Sequence, residues 1–222
     1  MLVNADFTRP AIVIGDQYRW VDSPQSGVQR VMLDRVGGEQ ARATSIVRYA
    51  PQSHFPQHVH PGGEEILVLA GVFSDEAADY PEGCYLRNPP GSLHRPSSAS
   101  GTLFFVKLGQ MPITESQYVR VNTRDPGNWR SEGDAERCDL FHSETEDVVL
   151  LRLPAGAPLF LPPSDSAEIL VLEGLLADRN QVYGRGSWLR YPRGAFPAIT
   201  AGAEDATIYL KTGHLRGPGS GE

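Results

Sequence analysis

The segment Glu65-Ile66-Leu67-Val68-Leu69-Ala70-Gly71 returns as Glu168-Ile169-Leu170-Val171-Leu172-Glu173-Gly174, 103 residues further on. The same spacing lays Pro51 on Pro154, Tyr80 on Tyr183, Gly83 on Gly186, Leu86-Arg87 on Leu189-Arg190, Pro89 on Pro192 and Gly91 on Gly194. With small changes of offset, Trp20 matches Trp129 and Val106-Lys107 matches Leu210-Lys211. A fixed period of this length marks a duplicated module. The chain therefore reads as two tandem domains, 1–112 and 113–216, with the joint in the loop region 110–126. A glycine-rich tail follows at 217–222.

Short apolar or alternating runs recur through both halves: 11–14, 42–49, 66–73, 102–108, 147–153, 168–172 and 206–211. Glycine and proline, 23 and 18 residues, are spread between them as turn formers. Many short strands punctuated this way predict an all-β sandwich or barrel. Only 25–33 and 112–118 suggest a helical turn. A hydrophobic share of 40% over 222 residues supplies a core for each half. The net charge of −7 argues against nucleic acid and anionic membrane as partners. No apolar run reaches the length of a membrane helix, and residues 1–10 lack a signal-peptide pattern. Cys84 and Cys138 form no Cys-x-x-Cys pair, which favours a reduced, cytoplasmic setting.

The chemistry concentrates before the first repeat segment. His58 and His60 stand two apart, which puts both on one face of a strand. Glu64 follows the turn Pro61-Gly62-Gly63, and His94 follows the bend Asn88-Pro89-Pro90-Gly91. Three imidazoles and a carboxylate suit one divalent transition metal rather than Mg²⁺ or Ca²⁺. Glu65 competes with Glu64 for the carboxylate position, but alternation turns Glu65 outward if Glu64 faces in. His54 is placed outside the shell, and His142 and His214 at the surface. Phe55, Phe104 and Tyr85 are the candidate interior wall. In the second copy the four ligand positions fall on Leu161, Pro163, Ala167 and Pro197, so its interior is expected to be apolar and metal-free. No G-x-S-x-G elbow, Walker A loop or dinucleotide fingerprint appears.

His58-Val59-His60, Glu64, Gly71, Gly83, Pro89, Gly91 and His94 resemble the two-part motif of the cupin superfamily. The text of 43–51, 62–69 and 85–92 is similar to the cupin domain of ChrR-type anti-sigma factors. The closer likeness covers about 20–108. The resemblance implies two double-stranded β-helix (jelly-roll) barrels. It also implies a metal held by His58, His60, Glu64 and His94, zinc in the ChrR setting, with iron, manganese or nickel as the other ions this donor set accepts.

ChrR-type regulators carry a zinc-binding anti-sigma domain ahead of the cupin, whereas here the cupin text starts almost at Met1. The expectation is therefore the sensory part of such a system: a metal-binding bicupin in an oxidative or singlet-oxygen response. It would meet a small-molecule ligand at the metal and a protein partner, and could form an oligomer. The alternatives are a mononuclear iron dioxygenase cleaving small ketones and a bicupin whose metal only stabilises the barrel.

Overall fold

The computed structural model describes residues 1–38, 41–161 and 166–215. The 217–222 tail and Pro163 lie outside them. The described residues are strands joined by turns. Two single 3₁₀ turns, Gly15–Gln17 and Pro126–Asn128, are the helical pieces among them. Strands occupy Ala11–Val13, Arg42–Tyr49, Glu64–Ser74, Thr102–Leu108, Asp147–Leu153, Ala167–Glu173 and Ala206–Thr212, close to the expected runs. Val28–Val36 is a strand and not a helical turn. It pairs along its length with Arg42–Tyr49, and that ladder overrides its weak helical spacing. No helix forms over 112–118 either.

The chain divides into two compact units. The first comprises Met1–Ala5 and Arg19–Arg124, and the second Asp6–Tyr18 and Asp125–Glu222. This differs from a single cut after residue 112, and hydrogen-bonding strands explain why. Val119–Asn122 pairs with Cys84–Asn88 at a sheet edge of the first unit. Ala11–Val13 pairs with Trp188–Tyr191 at the corresponding edge of the second.

Both units repeat one strand order. In the first it runs Val28–Val36, Arg42–Tyr49, Thr102–Leu108, Glu64–Ser74, Cys84–Asn88. In the second it runs Ala135–His142, Asp147–Leu153, Ala206–Thr212, Ala167–Glu173, Trp188–Tyr191. The repeated segment carries the same irregularity in each. The ladder with the neighbouring strand skips Leu69 in one unit and Leu172 in the other. The glycine two residues later, Gly71 or Gly174, then takes φ of +72° or +69°. A Cβ there would lie 2.2 Å from the carbonyl oxygen of Gly101 or Asp205. Glycine is required on both counts.

Alternation sorts the two faces of the central strand. Ile66, Val68, Leu86, Phe104 and Val106 point into the first unit's core with Phe73 and Tyr80. Tyr85 is buried but belongs to the opposite face, so it does not line the interior as expected. Glu65 also takes that face, where it is buried rather than solvent-exposed. Arg87 donates to it at 3.1 Å, and Lys107 pairs opposite it across the sheet. Glu168, Arg190 and Lys211 occupy the equivalent buried positions of the second unit.

Candidate metal centre

The ribbon that carries the histidines is two strands of three residues. His58–His60 runs antiparallel to Ser92–His94, with His60 opposite Ser92 and His58 opposite His94. The period of two puts His58, His60 and His94 on one face and leaves Val59 and Leu93 on the other, each more than half exposed. Turns with a left-handed glycine set the ribbon's ends. Gly63 has φ +76° and Gly91 φ +80°. Both donate their N–H to the His60 carbonyl, at 3.1 and 2.9 Å.

The three imidazoles converge. Each offers a nitrogen within 4.8 Å of the others, and the ring centroids lie 4.7, 4.9 and 5.1 Å apart. His60 Nε2 and His94 Nε2 are 3.0 Å apart and buried. Two nitrogen lone pairs at that distance require a proton or a cation between them. His58 is exposed, and its Nδ1 lies 3.1 Å from the Pro56 carbonyl. A donor bond there leaves Nε2 as the ligating nitrogen. Glu64 opens its strand beside them, with Oε2 3.6 Å from both His60 Nε2 and His94 Nε2.

Burial governs the charges. Desolvation, with His58 second, holds His60 down to about 4, and desolvation lowers His94 as well. Both are thus neutral at ordinary pH, the form that binds a metal. Burial raises Glu64, against the pull of His94 and a hydrogen bond from Asn88. A divalent cation would offset the cost of burying that carboxylate. The donor set, three imidazoles with a carboxylate beside them, fits Zn²⁺ or another first-row divalent ion.

Several contributors carried no spacing signal. Asn88 Nδ2 donates to Glu64 Oε2 at 3.1 Å, and Arg120 Nη2 donates to Asn88 Oδ1 at 2.6 Å. Asp75 places Oδ2 3.9 Å from His94 Nδ1. Its other oxygen is held by the N–H groups of Ala77 and Ala78. On the core side Phe73 lies 5.9 Å from the His94 ring, and Phe104 and Tyr49 pack behind it. Phe55 stacks on Tyr49 at 4.4 Å, so Phe55 and Phe104 do line the interior.

The other histidines separate. His54 and His142 are exposed. His214 is not at the surface as expected: its side chain is 3% exposed, with Nε2 2.9 Å from the buried Glu168. A buried carboxylate needs a hydrogen-bonding partner, and His214 is one. In the second unit Ala167 lies in an apolar core with Ile169, Val171 and Leu189, and Leu161 packs against it. Pro197 stands at the position equivalent to His94.

The strand order and the histidine-bearing ribbon go with a cupin fold. Residues 8–112 match the family described as the ChrR cupin-like domain. The match covers a little under half of the chain, and the solved structures that share its fold include cupin proteins. No curated protein sequence matches it. Among solved structures it is similar to a candidate dioxygenase from Nostoc punctiforme PCC 73102, with TM-score 0.71 and 12% identity over 96% of this chain and 81% of that one. It is also similar to a cupin 2 conserved barrel domain protein from Leptotrichia buccalis, with TM-score 0.61, 13% identity and coverage of 95% and 99%. Bacterial pirin YhhW from Escherichia coli, solved with nickel(II), gives TM-score 0.63, 13% identity and coverage of 92% and 98%. At these identities the likeness carries the fold alone. Among the described residues no helix is long and apolar enough to cross a membrane.

Proposed function

We propose that this protein is a metal-binding cupin of regulatory type, with one zinc ion held in the first unit by His58, His60, Glu64 and His94. The observation that carries the reading is the convergence of three imidazoles with Glu64 Oε2 3.6 Å from two of them. With Glu64 the four protein donors would leave zinc no open position, as in closed structural sites. The family match over 8–112 supports the ChrR-like role, a response to oxidative or singlet-oxygen stress in the cytoplasm. His58 sits at the solvent side of the shell, where a small reactive ligand would arrive. Val59 and Leu93, on the outer face of the same ribbon, would pass a change at the ligands to a protein partner.

A second reading is favoured by the likeness to the candidate dioxygenase: iron at the same residues, cleaving a small ketone. Iron would supply the oxygen chemistry. The chain would contribute three imidazoles to hold it and the Phe73, Phe104 and Tyr49 rings to keep water from its inner side. Metal analysis of the purified protein, combined with oxygen uptake on small β-diketones, separates the two. One tightly held zinc per chain without turnover supports the regulatory reading, and iron with oxygen-dependent cleavage overturns it. In either reading His60→Ala lowers metal content and thermal stability together, since the metal binds only the folded state. Unchanged stoichiometry in that variant would refute the ligand assignment.

A further inference from the structure

The hydrogen-bond row that leaves Glu64 through Asn88 ends on a residue beyond the matched 8–112 segment. Strand Val119–Asn122 pairs with Cys84–Asn88, with Arg120 opposite Leu86. The Arg120 guanidinium donates from Nη1 to the carbonyls of Arg87 and Val119, at 3.1 and 2.7 Å, and from Nε to the Tyr80 hydroxyl at 3.4 Å. It lies 5.4 Å from the Tyr80 ring and 5.9 Å from that of Tyr118. These contacts fix its fork, and Nη2 donates to Asn88 Oδ1 at 2.6 Å.

An arginine can only donate, whereas an amide can turn either end. With Arg120 in place the Asn88 oxygen must face the guanidinium, so its NH₂ must face Glu64. That NH₂ is 3.1 Å from Glu64 Oε2, the oxygen that lies 3.6 Å from His60 and His94. Asn88 is 4% exposed, so no bulk water replaces either bond. The polarity of the whole row is therefore set by its outermost member.

We propose that Arg120 is a positioning residue for the metal centre: through Asn88 it holds the Glu64 carboxylate in its ligating orientation. This rests on Glu64 being the fourth ligand. The metal affinity of the first unit then depends on an exposed side chain in a strand outside the cupin motif, open to a partner or anion that competes for the guanidinium.

Competition titration of Zn²⁺ against a chromophoric chelator tests this, with thermal melting of the metal-free proteins alongside. Removing an outer-shell partner costs about 10–100-fold in metal affinity. Arg120→Met is expected to weaken zinc by that factor while metal-free melting stays close to wild type. Arg120→Lys, still a pure donor, should recover a large part of the loss. In an Asn88→Leu background Arg120→Met should have no further effect. Wild-type affinity in Arg120→Met, or fully additive losses in the double variant, overturns the relay when Glu64→Gln itself weakens zinc. Wild-type affinity in Glu64→Gln instead overturns the fourth-ligand reading and the relay with it. Should Arg120→Met fail to fold, Asn88→Asp serves: it still accepts from Arg120 but turns an acceptor towards Glu64. It is expected to weaken zinc at least tenfold, and unchanged affinity there overturns the relay.

Discussion

In the presence of a chelator, this protein is expected to lose stability on mild acidification, and His60 sets the size of the loss. Its imidazole is held down to about 4 by burial and by His58, against an ordinary value of 6.5. Above pH 6.5 neither the folded nor the unfolded form is protonated, and the stability is whole. As the pH falls below 6.5 the unfolded chain takes up a proton that the folded site refuses. The loss continues until the pH reaches about 4, where the folded site also titrates. At 1.36 kcal/mol per unit the shift amounts to about 3 kcal/mol, a large share of a typical domain's stability. His94 is lowered by burial and adds loss of the same sign. Glu64 is raised by burial and works oppositely, since its contribution is lost as the pH rises past the carboxylate range. The comparison is therefore with His60→Gln, which keeps a polar side chain but cannot titrate. Urea unfolding in chelator at pH 7.5, 6, 5 and 4 should show a loss about 3 kcal/mol smaller in the variant. Equal losses in the two proteins would refute the neutral, desolvated imidazole.

Gly71→Ala should be far more damaging than Gly91→Ala: both force a left-handed residue, about 1–2 kcal/mol, but only at Gly71 does the new Cβ strike a backbone carbonyl. Denaturant unfolding of the two variants checks this, and equal losses would contradict it. Glu65→Ala should cost less than the about 3–5 kcal/mol of a fully broken buried pair, because Arg87 keeps Glu115 at 3.7 Å, and should leave metal stoichiometry unchanged. A fall in bound metal would place Glu65, not Glu64, in the shell. A fragment ending at residue 112 should bind zinc more weakly than the full chain, because it lacks the strand that carries Arg120. Isothermal titration of the fragment decides this, and full-length affinity would count against it.

What the sequence disclosed followed its periodicities. The all-β class, the duplicated module and the central strands were legible because EILVL-x-G recurs with glycines and prolines in register. The three histidines were legible because alternation needs no tertiary information to bring residues 58 and 60 together, and the turn at 88–91 signalled the return of His94. The strand at 28–36 was missed because its pairing partner, not its own spacing, makes it a strand. Tyr85 was misplaced because which face of 84–88 turns inward is decided by Glu64–Ser74 across the ladder. His214 was misread because only the fold brings it to Glu168, 46 residues away in sequence. Asn88, Asp75 and Arg120 are common polar residues whose role lies in which atoms they meet, and spacing does not encode that.

The strand Ala11–Val13 closes an edge whose other side, Trp188–Tyr191, is made about 177 residues later (188 − 11). At about 5–20 residues per second, roughly 9–35 s separate the two on the ribosome. During that time the first unit can assemble around Arg19–Arg124, while residues 11–13 wait with an unpaired β edge. The second unit can finish only after its last strands have left the tunnel. Translation thus orders the two halves, and the one that carries the three clustered histidines can be complete while its sibling still lacks a strand.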